Sequence, residues 1–377
     1  MEVMEQKIKS LIQKDPKQCI SYATFIQTAL YDNEAGYYMK EKQKIGKSGD
    51  FYTSTNVHGI FAKVIAKAFI EVFEKESISK VICEIGAGTG KFAATVLEEI
   101  KHTNEALFHE LTYIIIESSP YHRKEQQKIL PMEKVMQFAS LEEAKVSKPN
   151  MNGIIFSNEL FDAFPVHVVE QGDLLEEIFV SLNEEGKLME TKEVCTDDKI
   201  LKWLKIYYGK LNNGQRLEIP LAMTSYMADL CDWLDKGTIF TIDYGYTNAE
   251  WGQRQHRNGS LRGFSNHTLI DNPLTTPGEM DLTTHIHFDA LKEVGQNQGL
   301  KNVLFLPQDQ FLLAAGILTY LQNNANTDPF SPISRQNRAI RQFITAGGIS
   351  SSFRVLVQSK KMNQEEKWSF VKNANSY

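Results

Sequence analysis

The sequence predicts a doubly wound α/β fold with a mostly parallel central sheet. Short apolar runs rich in β-branched residues alternate with longer segments whose apolar residues recur at helical spacing. This alternation is typical of βαβ units, in which parallel strands are buried on both faces. A second observation is a glycine-rich loop directly after the first apolar run, where doubly wound proteins bind their ligands.

Several apolar runs are the candidate strands of this sheet. They are Val81–Ile85, Thr112–Glu117, Lys134–Phe138, Gly153–Ser157, Thr238–Asp243, Asn302–Leu306 and Phe353–Gln358. Between the fourth and fifth runs, Leu174–Lys192 predicts a β-hairpin that turns at Asn183–Gly186. Two helices are expected after the hairpin, over Ile200–Leu211 and Ala222–Leu234.

The composition argues against several classes of protein. A net charge of −6 disfavours general affinity for the nucleic-acid backbone. The 4 cysteines are far apart and form no C-x-x-C pair, so the sequence suggests neither a zinc site nor a disulfide framework. No signal-peptide pattern and no apolar stretch long enough to span a bilayer is present, and cytoplasmic residence is the expectation.

The loop after the first strand is the most specific ligand signal in the chain. It consists of Glu84-Ile-Gly86-Ala-Gly88-Thr-Gly90, an acid followed by alternating glycines before a helical pattern begins. Dinucleotide sites favour G-x-G-x-x-G with a pyrophosphate at the helix N-terminus, whereas an acid here would repel a pyrophosphate and suits a cationic ligand. The pattern resembles motif I of class I S-adenosylmethionine (SAM) methyltransferases. This resemblance implies SAM as the cofactor.

Side chains at the ends of neighbouring strands are the candidate cofactor contacts. Glu84 is expected to order the glycine loop through backbone N–H groups or to approach the cofactor's ammonium group, and the alternative is an ordinary strand-end acid. Glu117 is placed to accept both ribose hydroxyls, with Ser118 beside it, because a buried unpaired carboxylate would be costly. Gln137 and Phe138 are expected to flank adenine, although Phe138 fits a core position equally well.

A broader resemblance rests on segments that occur in one order along the chain. They are Tyr22–Tyr38, Gly49–Ser54, Glu84–Gly90, Ser157–Pro165, Asp243–Tyr246 and Asp281–Ile286. These segments resemble the MidA-type SAM-dependent methyltransferases, a family that includes the mitochondrial complex I assembly-factor arginine methyltransferase. The resemblance implies a seven-stranded class I methyltransferase (Rossmann-like) sheet and an arginine of a protein partner as the methyl acceptor. It also implies that Gly49 and Asp50 fold over the cofactor, where the alternative is an ordinary turn.

The segment after the fourth strand is the candidate acceptor site. Methyl transfer from a sulfonium is an in-line displacement, so the protein mainly positions the acceptor and controls its proton. Glu159 and Asp162 would suit the fork of donors on a guanidinium, and Asn158 is expected between the cofactor and the acceptor. The alternative is that Asn158 or Asp162 caps the next helical segment. Asp243 and Tyr244, after the fifth strand, are further candidates for contact with the acceptor.

The expected organisation has four parts. They are an N-terminal helical region and cofactor lid over 1–75, a SAM-methyltransferase core over 76–170 and 236–360, an inserted hairpin and helical subdomain over 171–235, and a polar tail over 361–377. The tail is expected to fray from Asn363. Leu261–Thr284 is expected to be a long loop that closes over the cofactor together with the residues before Thr53.

The leading hypothesis is a SAM-dependent methyltransferase that acts on an arginine of a protein partner. The alternatives are a catalytically weak SAM-binding assembly factor and a nicotinamide-dependent oxidoreductase, which the glycine spacing disfavours. A protein substrate is expected, nucleic acid and membrane are not, and a homodimer is left open. His267, His285 and His287 invite a metal hypothesis, but no nearby cysteine or spaced acid completes a ligand set, so no metal is expected.

Overall fold

The structure, a computed structural model, describes residues 2–41, 59–265, 267–323, 328–345 and 352–374. Their contacts divide the chain into two units. The first unit comprises Met1–Phe51, Leu160–Asp229 and Gly245–Val294, and the second unit comprises Tyr52–Glu159, Leu230–Tyr244 and Gly295–Tyr377. The expected division into lid, core, inserted subdomain and tail stays a prediction.

Strands and helices of the described residues are numbered separately in chain order. The strands are β1 (Cys19–Ser21), β2 (Val81–Ile85), β3 (Thr112–Ile116), β4 (Val135–Phe138), β5 (Met151–Asn158), β6 (His167–Gln171), β7 (Leu175–Leu182), β8 (Leu188–Val194), β9 (Arg216–Ile219), β10 (Leu234–Tyr246), β11 (Arg262–Ser265), β12 (Thr268–Ile270), β13 (Asp281–Thr283), β14 (Ile286–His287), β15 (Lys301–Pro307) and β16 (Phe353–Lys360). The helices are α1 (Glu2–Lys14), α2 (Tyr22–Tyr31), α3 (Ile60–Lys75), α4 (Lys91–Thr103), α5 (Glu105–Glu110), α6 (Pro120–Ile129), α7 (Leu141–Ser147), α8 (Asp198–Trp203), α9 (Leu221–Trp233), α10 (Asn248–Trp251), α11 (Phe288–Asn297), α12 (Gln308–Ala314), α13 (Pro332–Ile344) and α14 (Ser369–Ala374).

The main sheet of the second unit has the strand order β15-β16-β10-β5-β2-β3-β4. Neighbouring strands are parallel except at β16, which runs antiparallel to both β10 and β15. From β2, the strands β3 and β4 extend the sheet in one direction, and β5 and β10 extend it in the other. The short strand β14 pairs in addition with Gly245 and Tyr246 at the end of β10. This topology confirms the predicted doubly wound sheet, whose path has seven strands. It also places the carboxyl ends of β2 and β5 at a topological switch point, where such sheets bind ligands.

Apolar side chains on both faces explain why the central strands form. All residues of β2 are buried, and so are most residues of β3 and β5. The ring of Phe156 in β5 packs edge-on against Phe69 of α3, with ring centroids 5.7 Å apart. The ring of Phe92 also stacks on Phe156, with ring centroids 4.4 Å apart. Because Phe92 lies in the first turn of α4, this contact fixes the start of the helix directly after the glycine loop.

The first unit contains two further sheets. One has the order β1-β7-β6-β9 with β8 paired to β7, and the other has the order β12-β11-β13. The predicted hairpin is confirmed as β7 and β8, and the Asn183 N–H donates to the Lys187 carbonyl across its turn (2.9 Å). Helices α1 and α2 pack on the larger sheet through Ile8 and Phe25, which share a core with Val168.

Two predictions about the first unit are wrong in part. Leu261–Thr284 is not a plain loop, because it contains β11, β12 and β13. Those strands are only three or four residues long, too short for an alternating pattern to stand out in the sequence. The helix expected over Ile200–Leu211 is α8 followed by a π-helical turn, Leu204–Tyr208, which ends at Gly209 with φ +100°. The helix expected over Ala222–Leu234 is confirmed as α9.

All four cysteines lie within the described residues, and they are free and buried. Burial raises the pKa of all four thiols, Cys19, Cys83, Cys195 and Cys231, so none of them has the low pKa of an activated nucleophile. In the part of the chain that the structure describes, no helix combines the length and the apolar character needed to cross a bilayer.

The expectation that the C-terminal tail frays is wrong for its described residues. Trp368 and Phe370 are buried, and their ring centroids lie 5.4 Å apart. Phe370 also contacts the ring of Phe240 in the main sheet and that of Phe311 in α12. The Glu365 carboxylate accepts a hydrogen bond from the Ser359 hydroxyl (2.6 Å). Two large aromatic side chains therefore anchor a segment whose average composition is polar.

Trp368→Ala is expected to lower the free energy of unfolding by about 3–5 kcal/mol, because it leaves a cavity in the aromatic cluster. The measurement is urea-induced unfolding of the purified protein. The control is Phe330→Ala, whose side chain is 70% exposed. This control should change the free energy of unfolding by no more than about 0.5 kcal/mol. Equal stability of Trp368→Ala and the wild-type protein would show that the tail is not anchored.

Candidate functional site

The glycine loop leaves β2 through backbone conformations that few residues adopt. Gly86, Gly88 and Gly90 have φ angles of +73°, +51° and +78°, all in the left-handed region. The Gly86 N–H donates to the Ile116 carbonyl at the end of β3 (2.9 Å), and the Gly90 N–H donates to the Ala87 carbonyl (3.0 Å). The result is a tight turn into α4 whose alternate positions carry no side chain to keep a ligand away from the backbone.

Glu117, directly after β3, holds this loop in place. Its Oε2 accepts a hydrogen bond from the Gly88 N–H (2.8 Å), and its Oε1 accepts one from the Ser119 N–H (2.9 Å). The side chain is buried, and the Nδ1 of His122 lies 3.7 Å from Oε1. Because each carboxylate oxygen has two acceptor sites, both oxygens can still accept a further donor such as a ribose hydroxyl. Ser118 is exposed beside it, and its carbonyl accepts from Arg123 (2.9 Å).

Glu84 lies in a different environment from Glu117. Its carboxylate is buried in β2 and accepts a hydrogen bond from the Tyr113 hydroxyl (2.7 Å). Burial raises the pKa of Glu84 to about 8, the Tyr113 hydrogen bond opposes this, and the charge of Glu117 adds to it. The Gly88 N–H donates to Glu117, and the expectation that Glu84 orders the loop through backbone N–H groups stays a prediction. A role for Glu84 near a cationic group stays a prediction.

Gln137, at the end of β4, is engaged by the helix α6. Its Nε2 donates to the Gln126 Oε1 (2.7 Å) and to the Arg123 carbonyl (3.2 Å), and its Oε1 accepts from the Gln127 Nε2 (2.9 Å). Phe138 is half-buried. That these two residues flank adenine stays a prediction, and the structure gives the Gln137 amide a set of protein partners that sequence analysis did not foresee.

Gln126 is the main site residue that sequence analysis missed. It is fully buried, and its Nε2 donates to the Gly88 carbonyl (2.7 Å). His122 and Gln126 are four residues apart and both are buried on one face of α6, but only the structure shows which face of this polar helix is the inner one. Buried polar residues need partners, so polar positions on the inner stripe of a helix point to a specific contact.

Asn158 and Glu159 lie at the carboxyl end of β5, beside the glycine loop's strand. Ser157 pairs with Ile85 of β2, and Asn158 pairs with Ile242 of β10. The Glu159 N–H donates to the Ile242 carbonyl (2.9 Å), and the Asn158 Nδ2 donates to the Glu159 Oε1 (3.0 Å). Glu159 has φ +51°, which costs a non-glycine residue roughly 1–2 kcal/mol. Strained residues of this kind cluster at functional sites.

The remaining acidic candidates are placed differently. Asp162 belongs to the first unit, where it is buried in the 3₁₀ turn Phe161–Ala163 and its carbonyl accepts from the Thr284 N–H (2.9 Å). The N-cap position of that turn is Leu160, which makes no side-chain cap, and the capping alternative for Asn158 and Asp162 stays a prediction. Asp243 is buried in β10, and its Oδ1 accepts from the Tyr244 N–H (2.9 Å). The predicted Gly49 and Asp50 lie outside the described residues.

The histidines that suggested a metal have protein partners in the first unit. The His287 Nε2 lies 2.9 Å from the Glu218 carbonyl, and the His285 Nε2 lies 3.1 Å from an Arg262 nitrogen. Burial lowers the pKa of both His285 and His287 to about 3, so both are neutral at physiological pH. Within the described ranges no group of three His, Cys, Asp or Glu side chains is arranged to hold a metal ion.

A family model and solved structures match this chain. Residues 64–306 match the model of a family described as S-adenosyl-L-methionine-dependent methyltransferases. A crystal structure from Burkholderia thailandensis with bound S-adenosyl-homocysteine has a TM-score of 0.85 and 26% sequence identity, and the match covers 96% of this chain and 93% of that chain. A native structure from the same organism has a TM-score of 0.82 and 26% identity, covering 96% and 92% of the two chains.

Curated relatives match at lower identity. The mitochondrial protein arginine methyltransferase NDUFAF7 homolog of Drosophila melanogaster is 24% identical, over 74% of this chain and 67% of its own length. The mitochondrial protein arginine methyltransferase NDUFAF7 of Danio rerio is 22% identical, over 74% of this chain and 69% of its own length. The expectation of cytoplasmic residence is contradicted by these relatives, which are mitochondrial proteins.

Glu84→Gln is expected to make the stability of the ligand-free protein less dependent on pH. The folded-state pKa near 8 exceeds the ordinary value of 4.5, so the folded protein retains a proton that the unfolded chain releases. The contribution of Glu84 is therefore fully present below pH 4.5 and is lost as the pH rises through 8. This loss is about 3–5 kcal/mol in the wild-type protein, and it is absent in the variant, whose amide still accepts the Tyr113 hydroxyl.

The measurement is denaturant-induced unfolding of both proteins at pH 5 and pH 9. The control is Glu98→Gln on the exposed face of α4, which should keep the wild-type difference between the two pH values. If Glu84→Gln and wild-type protein lose the same stability between pH 5 and pH 9, Glu84 is ionised in the folded protein throughout this range.

Proposed function

The chain belongs to the family of S-adenosyl-L-methionine-dependent methyltransferases, and we propose that it transfers a methyl group to an arginine side chain of a protein partner. The curated relatives support an arginine acceptor, since they are named protein arginine methyltransferases. The observation that carries the proposal is Glu159, a carboxylate held at the carboxyl end of β5 in a strained conformation. A guanidinium requires a fixed carboxylate of this kind.

The cofactor is proposed to lie on the glycine loop at the switch point. Gly86, Gly88 and Gly90 let its nucleoside approach the backbone, and Glu117 accepts the ribose hydroxyls with its remaining lone pairs. Glu84 is proposed to face the amino-acid end, because a nearby ammonium would stabilise the ionised form of a carboxylate whose pKa burial has raised. Two acids at adjoining strand ends suit SAM and would repel the pyrophosphate of a nicotinamide cofactor.

The proposed chemistry makes modest demands on the protein. SAM bound at this loop supplies an electrophilic methyl group on a sulfonium. The acceptor nitrogen forms a bond to the methyl carbon as the carbon–sulfur bond breaks, and the nitrogen then loses one proton. Glu159 is proposed to orient the guanidinium for this in-line displacement and to stabilise the positive charge of the methylated product. Asp162 as a second carboxylate, and closure of Leu261–Thr284 and the residues before Thr53 over the cofactor, stay sequence-based predictions.

Mass spectrometry of methylated arginines in cells with and without the gene is the test of the acceptor. A methylarginine that disappears with the gene, and that purified enzyme restores with labelled SAM, supports the proposal. Restoration of the label on lysine or on a carboxylate would replace arginine with another acceptor. SAM binding with no transfer to any protein would favour the SAM-binding assembly factor.

Gly88→Val is expected to abolish binding of SAM and of S-adenosylhomocysteine. A β-branched residue is disfavoured at φ +51°, and its side chain would occupy space next to the ligand. Calorimetric titration measures the affinity. Gly186→Val, in the β7–β8 turn at φ +72° with open space around it, is the matched control and should retain wild-type affinity. Unchanged affinity of Gly88→Val would refute the assignment of the loop.

Glu159→Gln is expected to slow methyl transfer by on the order of a hundredfold while SAM affinity stays within a few-fold. The substitution keeps the shape and the strained backbone but removes the charge. Transfer of labelled methyl and calorimetric titration give the two quantities, and Glu142→Gln on the exposed face of α7 is the control. Wild-type transfer rates would refute the role, and loss of folding together with SAM binding would make Glu159 a structural acid.

A further inference from the structure

One buried side chain of α6 contacts two of the loop glycines. The Gln126 Nε2 donates to the Gly88 carbonyl (2.7 Å). The aliphatic part of the same side chain lies against Gly90, where an added Cβ would be 2.8 Å from the Gln126 Cγ. Gln126 therefore holds the loop at one glycine and requires the absence of a side chain at another.

The orientation of the Gln126 amide is fixed by its neighbours. Its Oε1 accepts a hydrogen bond from the Gln137 Nε2 (2.7 Å), so its NH₂ group must be the end that faces the Gly88 carbonyl. The Gln137 amide is held in turn, because its Oε1 accepts from the Gln127 Nε2 (2.9 Å). A flipped Gln126 would place two acceptors against each other at Gly88 and two donors against each other at Gln137.

We call the hydrogen-bonded chain of Gln126, Gln137 and Gln127 the relay. Together with Glu117, the relay holds Gly88 from both sides. Its N–H donates to the Glu117 Oε2 (2.8 Å), and its carbonyl accepts from Gln126. The φ angle of +51° between these two peptide groups has no support from a regular hydrogen-bond ladder. The side chains of Glu117 and Gln126 therefore supply the restraint that sets both peptide groups.

We propose that Gln126 is a positioning residue for the cofactor, which acts through Gly88 and is kept in its orientation by Gln137. The inference rests on the proposed cofactor loop. In the ligand-free protein the relay keeps the loop in the conformation that binds SAM. Binding therefore does not have to order the loop, and no affinity is lost to that ordering. Loss of the relay should weaken cofactor binding even though Gln126 does not have to touch the cofactor.

Gln126→Met is the first test, because methionine has a similar length and shape but cannot donate to the Gly88 carbonyl. The affinity for S-adenosylhomocysteine, measured by calorimetry, is expected to fall roughly tenfold, the usual effect of one lost hydrogen bond. Gln13→Met is the matched control, since the Gln13 side chain is exposed on α1 and is not part of the hydrogen-bonded chain of Gly88, Gln126, Gln137 and Gln127. It should retain affinity within about twofold of wild-type protein.

Gln126→Glu provides a readout that a merely structural residue would not give. A protonated glutamic acid can donate to the Gly88 carbonyl and still accept from Gln137, whereas the ionised form cannot donate. Charged or titratable groups near this position are Glu117 after β3 and His122 and Arg123 on α6, and Lys91 begins α4 after the loop. Burial and the charge of Glu117 would favour the protonated form.

The affinity of Gln126→Glu for S-adenosylhomocysteine should therefore recover relative to wild-type protein as the pH falls from 8 to 5, while that of Gln126→Met stays reduced throughout. Wild-type affinity in Gln126→Met, or the absence of a pH-dependent recovery in Gln126→Glu, would overturn the inference. Gly88→Val distinguishes failure of the cofactor-loop assignment from failure of the Gln126 role. If Gly88→Val and Gln126→Met both bind S-adenosylhomocysteine normally, the loop assignment is wrong. If only Gly88→Val loses binding, the loop assignment is correct and the relay is not needed.

Discussion

The hydrogen bond from the Gly88 N–H to Glu117 is the constraint on which the glycine loop depends. Left-handed glycines have little conformational preference of their own, so the shape of the loop must be imposed from outside it. The parallel register of β2 and β3 pairs Ile85 with Ile116, and Glu117 directly follows β3. The pairing of β2 with β3 therefore places the Glu117 carboxylate within hydrogen-bond distance of the glycine loop. The following helix α6 then adds Gln126 from the same βα unit.

The two acids of this site differ because their surroundings differ. Glu117 accepts two backbone N–H groups, which suits an ionised carboxylate. Glu84 is buried with a single hydroxyl donor, and its raised pKa is the consequence. Burial of an acid without full compensation destabilises its ionised form, and a cationic ligand would relieve this. Under the proposed placement of Glu84, this relief would favour a positively charged cofactor over a neutral or anionic one.

The elements predicted from the sequence are those whose signals are local. The strands of the main sheet are apolar on both faces, and the glycine loop and Glu117 directly follow two of them, so their mutual placement follows from a parallel sheet. Tyr113 and Gln126 could not be predicted in their roles. Tyr113 looks like one more apolar strand residue, and Gln126 lies in a helix so polar that its inner face is hard to identify. Both depend on contacts with residues far away in sequence.

The parts that were predicted wrongly share a different cause. The short strands within Leu261–Thr284, the π-helical turn Leu204–Tyr208 and the anchored tail are held by tertiary contacts, and their local sequences are irregular or polar. The average composition of the tail predicted fraying because most of its residues are polar. An average does not show that Trp368 and Phe370 are the residues that anchor the segment. Two buried aromatic side chains outweigh many solvated ones, since each removes a large apolar surface from water.

The backbone at Glu159 connects these considerations to the proposed chemistry. A glycine at φ +51° would be free of the strain that a glutamate bears there, so the backbone alone gives no reason for an acid at this position. The side chain must account for the residue, and its Oε1 accepts a hydrogen bond from the neighbouring Asn158 Nδ2 (3.0 Å), which orients the carboxylate. A carboxylate that is oriented and half-buried loses little entropy when it binds a planar cation. The strained backbone at Glu159 therefore fits a carboxylate that is preorganised before its ligand binds. An in-line methyl transfer requires this preorganisation because the acceptor nitrogen must be held in line with the methyl group.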